Sequence, residues 1–197
     1  MVNSGTGARR RLSVDARRNQ LLRVGVELIA TRPWDVLTMT DVAKAAKVSK
    51  PLLYHYFSTK RDLYVASVRF TADQLRHATR PDPTLHDEQR VLRSLEAHVD
   101  WIEANADGYR TVLRGGVSGD PDVQTIVEQS RRETVDRIVR HLELEHPPAA
   151  LRIALRGWVG FLEGACLDWL RAKDIPKSQL VRLLAASLPA AITAAGA

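Results

Sequence analysis

The chain has 197 residues, 45% of them hydrophobic, and a formal net charge of +6, enough to bury one large core or two small ones and too much for a bare nucleic-acid-binding module. A single cysteine, Cys166, excludes an internal disulfide framework. The longest apolar stretch, Trp158–Leu170, is too short for a membrane span and is broken by Glu163 and Asp168, and the N-terminus lacks the apolar core of a secretion signal, so a soluble cytoplasmic protein with no membrane partner is expected.

Charge divides the chain. Residues 1–80 carry 15 Lys and Arg against 6 Asp and Glu, whereas residues 81–197 carry 14 against 17. A basic first part fits a surface that meets a polyanion and releases its counterions, although a solvated basic face gives the same sum. The histidines at 55, 77, 86, 98, 141 and 146 show no metal-ligand spacing, and there is no phosphate-cradling glycine loop and no serine nucleophile elbow. No cofactor and no enzymatic role are expected.

Residues 1–14, with Gly5, Gly7 and the run Arg9–Arg11, read as a flexible basic arm that either reaches phosphates and a minor groove or only solubilises the chain. A first helix follows over Asp15–Ala30, carrying Leu21, Leu22, Val24, Gly25, Leu28 and Ile29 at helical spacing; a break at Pro33 then places Trp34 and Val36 against it.

The next segment is the most informative. Thr38, with Asp41 three residues on, forms a capping box for a short helix whose small apolar face is Val42, Ala43 and Ala46; Val48 closes the turn. Ser49 caps a second short helix that starts near Lys50, with Pro51 in the first turn, where its missing amide costs little. Spacing assigns Leu53, Tyr54 and Phe57 to its inner face and leaves Lys50, Leu52, His55 and Tyr56 as the outer, reading residues. Thr59 and Asp62 form another box, which starts a helix running from Lys60 to about Thr79, and Lys60 is placed to meet a phosphate. Two short helices joined by a tight turn in a basic stretch are the arrangement that offers its second helix to the DNA major groove.

Beyond a loop at Arg80–Thr84, helices are expected over Asp87–Ala106, Tyr109–Leu113, Pro121–Leu144, Ala149–Ala172 and Lys177–Ile192. The glycine-rich Gly115–Pro121 reads as a turn between helices, since it lacks the spacing and terminal Lys-Ser/Thr pair of a phosphate loop. The last two helices are more apolar than surface helices should be, and a second copy of the chain would cover them. Gly157, Gly160, Gly164 and Ala165 on the first of them allow close helix approach or leave room for a ligand. Cys166, in an apolar helical stretch, reads as a buried structural thiol.

The pattern VSKPLLYHYFSTKRDLY, preceded by TMTDVAKAAK, resembles the signature of the TetR (tetracycline repressor) family of transcriptional regulators over roughly residues 17–65. The resemblance implies an all-α fold: a three-helix helix-turn-helix DNA-binding domain (15–60), joined through the helix 60–79 to a helical ligand-binding and dimerisation domain (61–197). It implies a dimer formed through helices 149–172 and 177–192, a palindromic double-stranded DNA operator, and a small-molecule effector that releases it, repression being the default direction. By the same resemblance, Thr38 caps helix two near a phosphate, Ser49, Lys50, Leu52, His55 and Tyr56 form the contact surface, Tyr54 edges onto the backbone and Lys60 opens helix four. The chain departs from the pattern at Pro51 and Leu52, where members commonly carry a glycine and a small hydroxyl residue; Leu52 can instead touch a thymine methyl. For the effector cavity, Trp101, Tyr109, Trp158, Phe161, Glu163, Cys166 and Trp169 are the candidates, pointing to a hydrophobic or aromatic effector with Glu163 as a polar anchor or as partner of a cationic ligand. The competing readings are an architectural DNA-binding protein, a helical protein-interaction module and, with least support, a helical enzyme using Glu163 or Cys166.

Overall fold

A computed structural model describes residues 13–32, 34–113 and 120–196, and among these the chain is all-α. The helices are α1 (Val14–Thr31), α2 (Met39–Ala45), α3 (Lys50–Tyr56), α4 (Lys60–Ala78), α5 (Asp87–Ala104), α6 (Ala106–Leu113), α7 (Pro121–His141), α8 (Ala149–Ala172) and α9 (Lys177–Ala194). Residues 1–12 of the expected basic arm, Pro33 and most of the glycine-rich Gly115–Pro121 turn lie outside the described residues, while Ser13 and Val14, expected in the arm, cap and open α1. Two compact units divide after Ser67, inside α4.

Polar caps set the helix starts in the first unit. Ser13 accepts from the Ala16 amide, and Thr38 and Asp41 bond reciprocally, the Asp41 amide donating to Thr38 Oγ1 at 3.2 Å and the Thr38 amide to Asp41 Oδ2 at 2.9 Å. Hydrogen bonds to its oxygens, first from the Thr38 hydroxyl and then from the Thr38 amide, hold the Asp41 carboxyl below the usual carboxylate range. Thr59 and Asp62 repeat the arrangement at the start of α4. The apolar face of α1, Leu21, Leu22 and Ile29, is buried, as are Leu37, Val42, Ala43, Ala46, Leu53, Phe57 and Leu63. Val36 departs from expectation: it is 67% exposed, whereas the Trp34 ring packs on the Tyr64 ring of α4 at 4.5 Å.

α1 and α4 approach closely at Gly25. A Cβ there would stand 2.7 Å from Ser67 Oγ and 3.3 Å from Leu63 Cδ1. Ser67 is buried and its hydroxyl has no hydrogen-bond partner, so it contributes little except bulk. Gly25→Ala should therefore destabilise the first unit by about 1 kcal/mol despite alanine's better helix propensity. Adding Ser67→Ala should restore or exceed wild-type stability. Chemical denaturation of the four proteins of the cycle checks this, and additive effects of the two substitutions would count against the close contact.

In the second unit α5, α8 and α9 pack together and α7 lies on α8. Val99, Ile102, Leu151, Leu155, Cys166 and Leu184 are fully enclosed. Two tryptophans spend their ring N–H groups inside the unit: Trp158 Nε1 donates to Ser187 Oγ and Trp169 Nε1 to the Ile175 carbonyl, each at 2.9 Å. Helix ends differ modestly from the sequence reading. α5 stops at Ala104 because the Asn105 side chain donates back to the Trp101 carbonyl. α7 stops at His141, three residues early, because Glu143 takes a left-handed φ of 55° and turns the chain out of the helix.

Candidate functional site

Between α2 and α3 the chain turns sharply at Lys47, whose φ of 55° closes α2. Ser49 Oγ then accepts the Leu52 amide at 3.3 Å and Pro51 occupies the first turn, so α3 starts at a defined point. Leu53, fully buried, and Phe57 fix the helix to the head. Lys50 and Tyr54, four residues apart, and Pro51 and His55, also four apart, form the open face. That face carries an ammonium, a phenol and an imidazole, groups able to meet phosphates and base edges.

The structure corrects the assignment of Tyr54 to the inner face: it is 48% exposed. One residue on from Leu53, it points about 100° away around the helix, beside Lys50. Leu52 and Tyr56 are half-buried, and Tyr56 meets His55 edge to face at 5.3 Å. Thr38 is exposed, but its hydroxyl is engaged with Asp41 at 2.5 Å. Lys60 lies 4.6 Å from the Trp34 ring centroid and donates to the Asp35 carbonyl, so this ammonium is held by the head itself. Ser49 is exposed at the start of α3.

Within the second unit is a cavity of about 840 Å³ lined from α4, α5, α6, α7, α8 and α9. Of the residues proposed from sequence to meet an effector, Trp101, Tyr109, Trp158 and Glu163 line it. Phe161, 43% exposed, Cys166, fully buried, and Trp169, turned toward Ile175, lie outside the lining. Burial, and then the neighbouring Glu163, push the Cys166 thiol up to about 12, leaving it a protonated packing group. Glu163 is not free to anchor a cation, because Arg131 grips both its oxygens, with Nε at 2.9 Å from Oε1 and Nη2 at 2.7 Å from Oε2.

Sequence reasoning missed the polar lining: Thr79, Arg90, His98, Arg137 and His141. A signal was present, since Arg90, Ser94 and His98 follow at four-residue steps on one face of α5, as do Arg137 and His141 on α7. Burial, and secondarily the nearby Arg137, lower His98 to about 4, so the ring is neutral. Burial raises the Tyr109 phenol far above its usual range.

Among the described residues no helix is long and apolar enough to cross a membrane, and no group of three or more His, Cys, Asp and Glu side chains is placed to hold a metal. Comparison with known proteins gives two family matches: residues 21–66 to the bacterial regulatory proteins of the tetR family, and residues 87–190 to a tetracyclin repressor-like C-terminal domain. The chain is 35% identical over 132 residues to the HTH-type transcriptional activator FasR of Mycolicibacterium smegmatis, a match spanning 65% of this chain and 59% of that protein. It is 26% identical over 162 residues to the HTH-type transcriptional regulator BetI of Cronobacter sakazakii, covering 79% of each. A tetR-family transcriptional regulator from Streptomyces coelicolor superposes with a TM-score of 0.83 at 29% identity, over 93% of this chain and 83% of the other. These relatives are regulators rather than enzymes, and the capped helix-turn-helix with its helical second unit has the architecture they share. The chain belongs to the TetR family of DNA-binding transcriptional regulators.

Proposed function

We propose that the chain is a ligand-responsive regulator that binds a palindromic operator as a homodimer in the cytoplasm, with α3 in the major groove. The observation that carries the DNA reading is the open face of α3, where Lys50, Tyr54 and His55 stand exposed on a helix fixed at its start by Ser49 and beneath by Leu53. One such helix touches few bases, so two related by a two-fold axis are needed for a site of useful length.

α8 and α9 support the dimer. Ile153 and Phe161 on α8 are 63% and 43% exposed, and Leu183 on α9 is 50% exposed. On α8 they share a stripe with Gly157, Gly160 and Gly164, above whose would-be Cβ atoms lies open space. An apolar face with that little relief suits close packing against its own copy. The cavity supports an effector site, and an effector that binds better to one separation of the two heads would shift the dimer on or off DNA.

Repression by blocking transcription is the primary reading. The activator name of the 35% identical relative favours a second, in which the same binding recruits transcription.

Selection from a genomic fragment library at fixed, near-physiological salt tests the reading. A retained short palindrome is expected, and Lys50→Ala should weaken its binding about tenfold and flatten the salt dependence by about one charge. Uniform retention of all fragments would instead mean architectural binding, and no retention a protein partner for the basic head. Placing the palindrome relative to the promoter, with a reporter, separates repressor from activator.

A further inference from the structure

The charges lining the cavity do not balance, and away from the exposed Arg80 and Arg140 the imbalance falls at Arg137. Its carboxylates are Asp73, Glu133 and Glu163. Arg76 holds Asp73 at 2.7 Å and Glu133 at 3.3 Å, and Arg131 holds Glu163. All three are thus engaged by arginines other than Arg137. Among the described residues no carboxylate stands within ion-pair distance of Arg137, whose Nη1 donates only to the carbonyl and hydroxyl of Thr79, both at 3.3 Å. A half-buried guanidinium with five donors and two distant neutral acceptors is undersupplied with negative charge.

Independent observations place further unmet polar groups in the same lining. Tyr109, 7% exposed, has a hydroxyl sealed from solvent with no hydrogen-bond partner. His98 Nε2 and Arg90 Nε are in the same condition. His98 links them: its ring meets Tyr109 edge to face at 6.4 Å, and it stands near enough to Arg137 to feel its charge. The wall also has an apolar part, with Trp101, Trp158 and Leu162 among its members.

We propose that this cavity binds an amphipathic anion, its acid group seated at Arg137 with His98 and Arg90, its apolar body against Trp101 and Trp158. The inference rests on the effector-binding role proposed above and gives the effector its chemical class. It replaces the expectation of a cationic partner for Glu163, whose oxygens Arg131 already occupies. A carboxylate and a phosphate ester both offer a pair of anionic oxygens to the guanidinium fork.

The test uses the full-length protein and four probes of one chain length, each below its micelle concentration: dodecanoate, dodecyl phosphate, dodecanol and dodecyltrimethylammonium. Binding is followed by calorimetry and by the fluorescence of the tryptophans. At least one anion should bind about tenfold or more tightly than the alcohol, the size expected of one charge-assisted contact, with the cation weakest. The two anions compared with each other distinguish carboxylate from phosphate. Arg137→Met should abolish the preference for the anion over the alcohol, and Arg137→Lys should keep part of it. Equal binding of anion and alcohol, preference for the cation, binding of none of the probes, or a preference unchanged in Arg137→Met overturns the proposal. The ranking on wild-type protein stands as a test even if Arg137→Met does not fold. Operator retention measured on the same preparation separates the two readings: a retained palindrome without anion preference sinks the effector class alone, and anion preference without a palindrome sinks the regulator reading alone.

Discussion

Leu53→Ala should unfold or severely loosen the DNA-binding head, whereas Tyr54→Ala, one residue along, should leave it folded and unable to hold DNA tightly. Leu53 is the buried residue of α3 and is 0% exposed, in contact with a head only a few helices thick. Truncating it removes apolar area and leaves a cavity in a core too small to collapse around it, a loss of about 2–5 kcal/mol. That is comparable to the whole stability of a small helical unit. Tyr54, about 100° further around the helix, is half in solvent, so its truncation should move stability by less than about 0.5 kcal/mol. If Tyr54 contacts the operator, its removal should still weaken binding by about 1–3 kcal/mol, roughly fivefold to 150-fold. Urea denaturation followed by operator titration separates the two effects. A Leu53→Ala protein as stable as wild type would contradict the packing of α3, and a Tyr54→Ala protein with full operator affinity would remove Tyr54 from the interface.

The contrast between these neighbours marks how far the sequence was legible. Caps are local, and Thr38 with Asp41, Ser49, and Thr59 with Asp62 announced the starts of α2, α3 and α4, where the structure has them. Faces are another matter in a helix of seven residues, which makes only two turns. Leu53 and Phe57 establish the buried direction, and spacing places Tyr54 inward with them because it stands three residues before Phe57, a step that two turns are too few to check. Lys60 shows the same limit: the sequence gives an exposed cation, and only the fold brings Trp34 beneath it.

In the second unit the gap is wider because its chemistry is made between distant positions. Arg131 and Glu163 are 32 residues apart, and Arg137 reaches Thr79 across 58. No periodicity encodes those pairings. The aromatic residues drew attention to the cavity and four of the seven sequence candidates line it, while its polar residues were passed over as solvated charges on amphipathic helices. The overturned expectation for Glu163 follows from the same cause, since a lone acid in an apolar helix looks like an anchor until its arginine is found.

The polar lining should also make itself felt as an acid sensitivity of the protein. Above pH 6.5 the His98 imidazole is neutral in both the folded and the unfolded chain, so it adds no pH dependence there. Folding lowers its pKa to about 4, first through burial and then through Arg137. Between these two values the unfolded chain takes up a proton that the folded chain refuses, so stability is lost as the pH falls, at about 1.4 kcal/mol per unit. By pH 4 the loss amounts to about 3 kcal/mol. Carboxylates such as Asp41 and Glu103, held below their usual range by hydrogen bonds, add their own loss at lower pH, and they do so in any variant that keeps them. Comparison with His98→Gln isolates the imidazole. Urea midpoints at pH 7.0, 5.5 and 4.5 should fall more steeply for wild type than for the variant, so that a stability gap at pH 7 narrows or reverses by pH 4.5. Parallel curves would mean that the His98 ring takes up its proton as readily in the folded chain as in the unfolded one, which a half-buried ring with its Nε2 sealed from solvent and an uncompensated guanidinium nearby should not do.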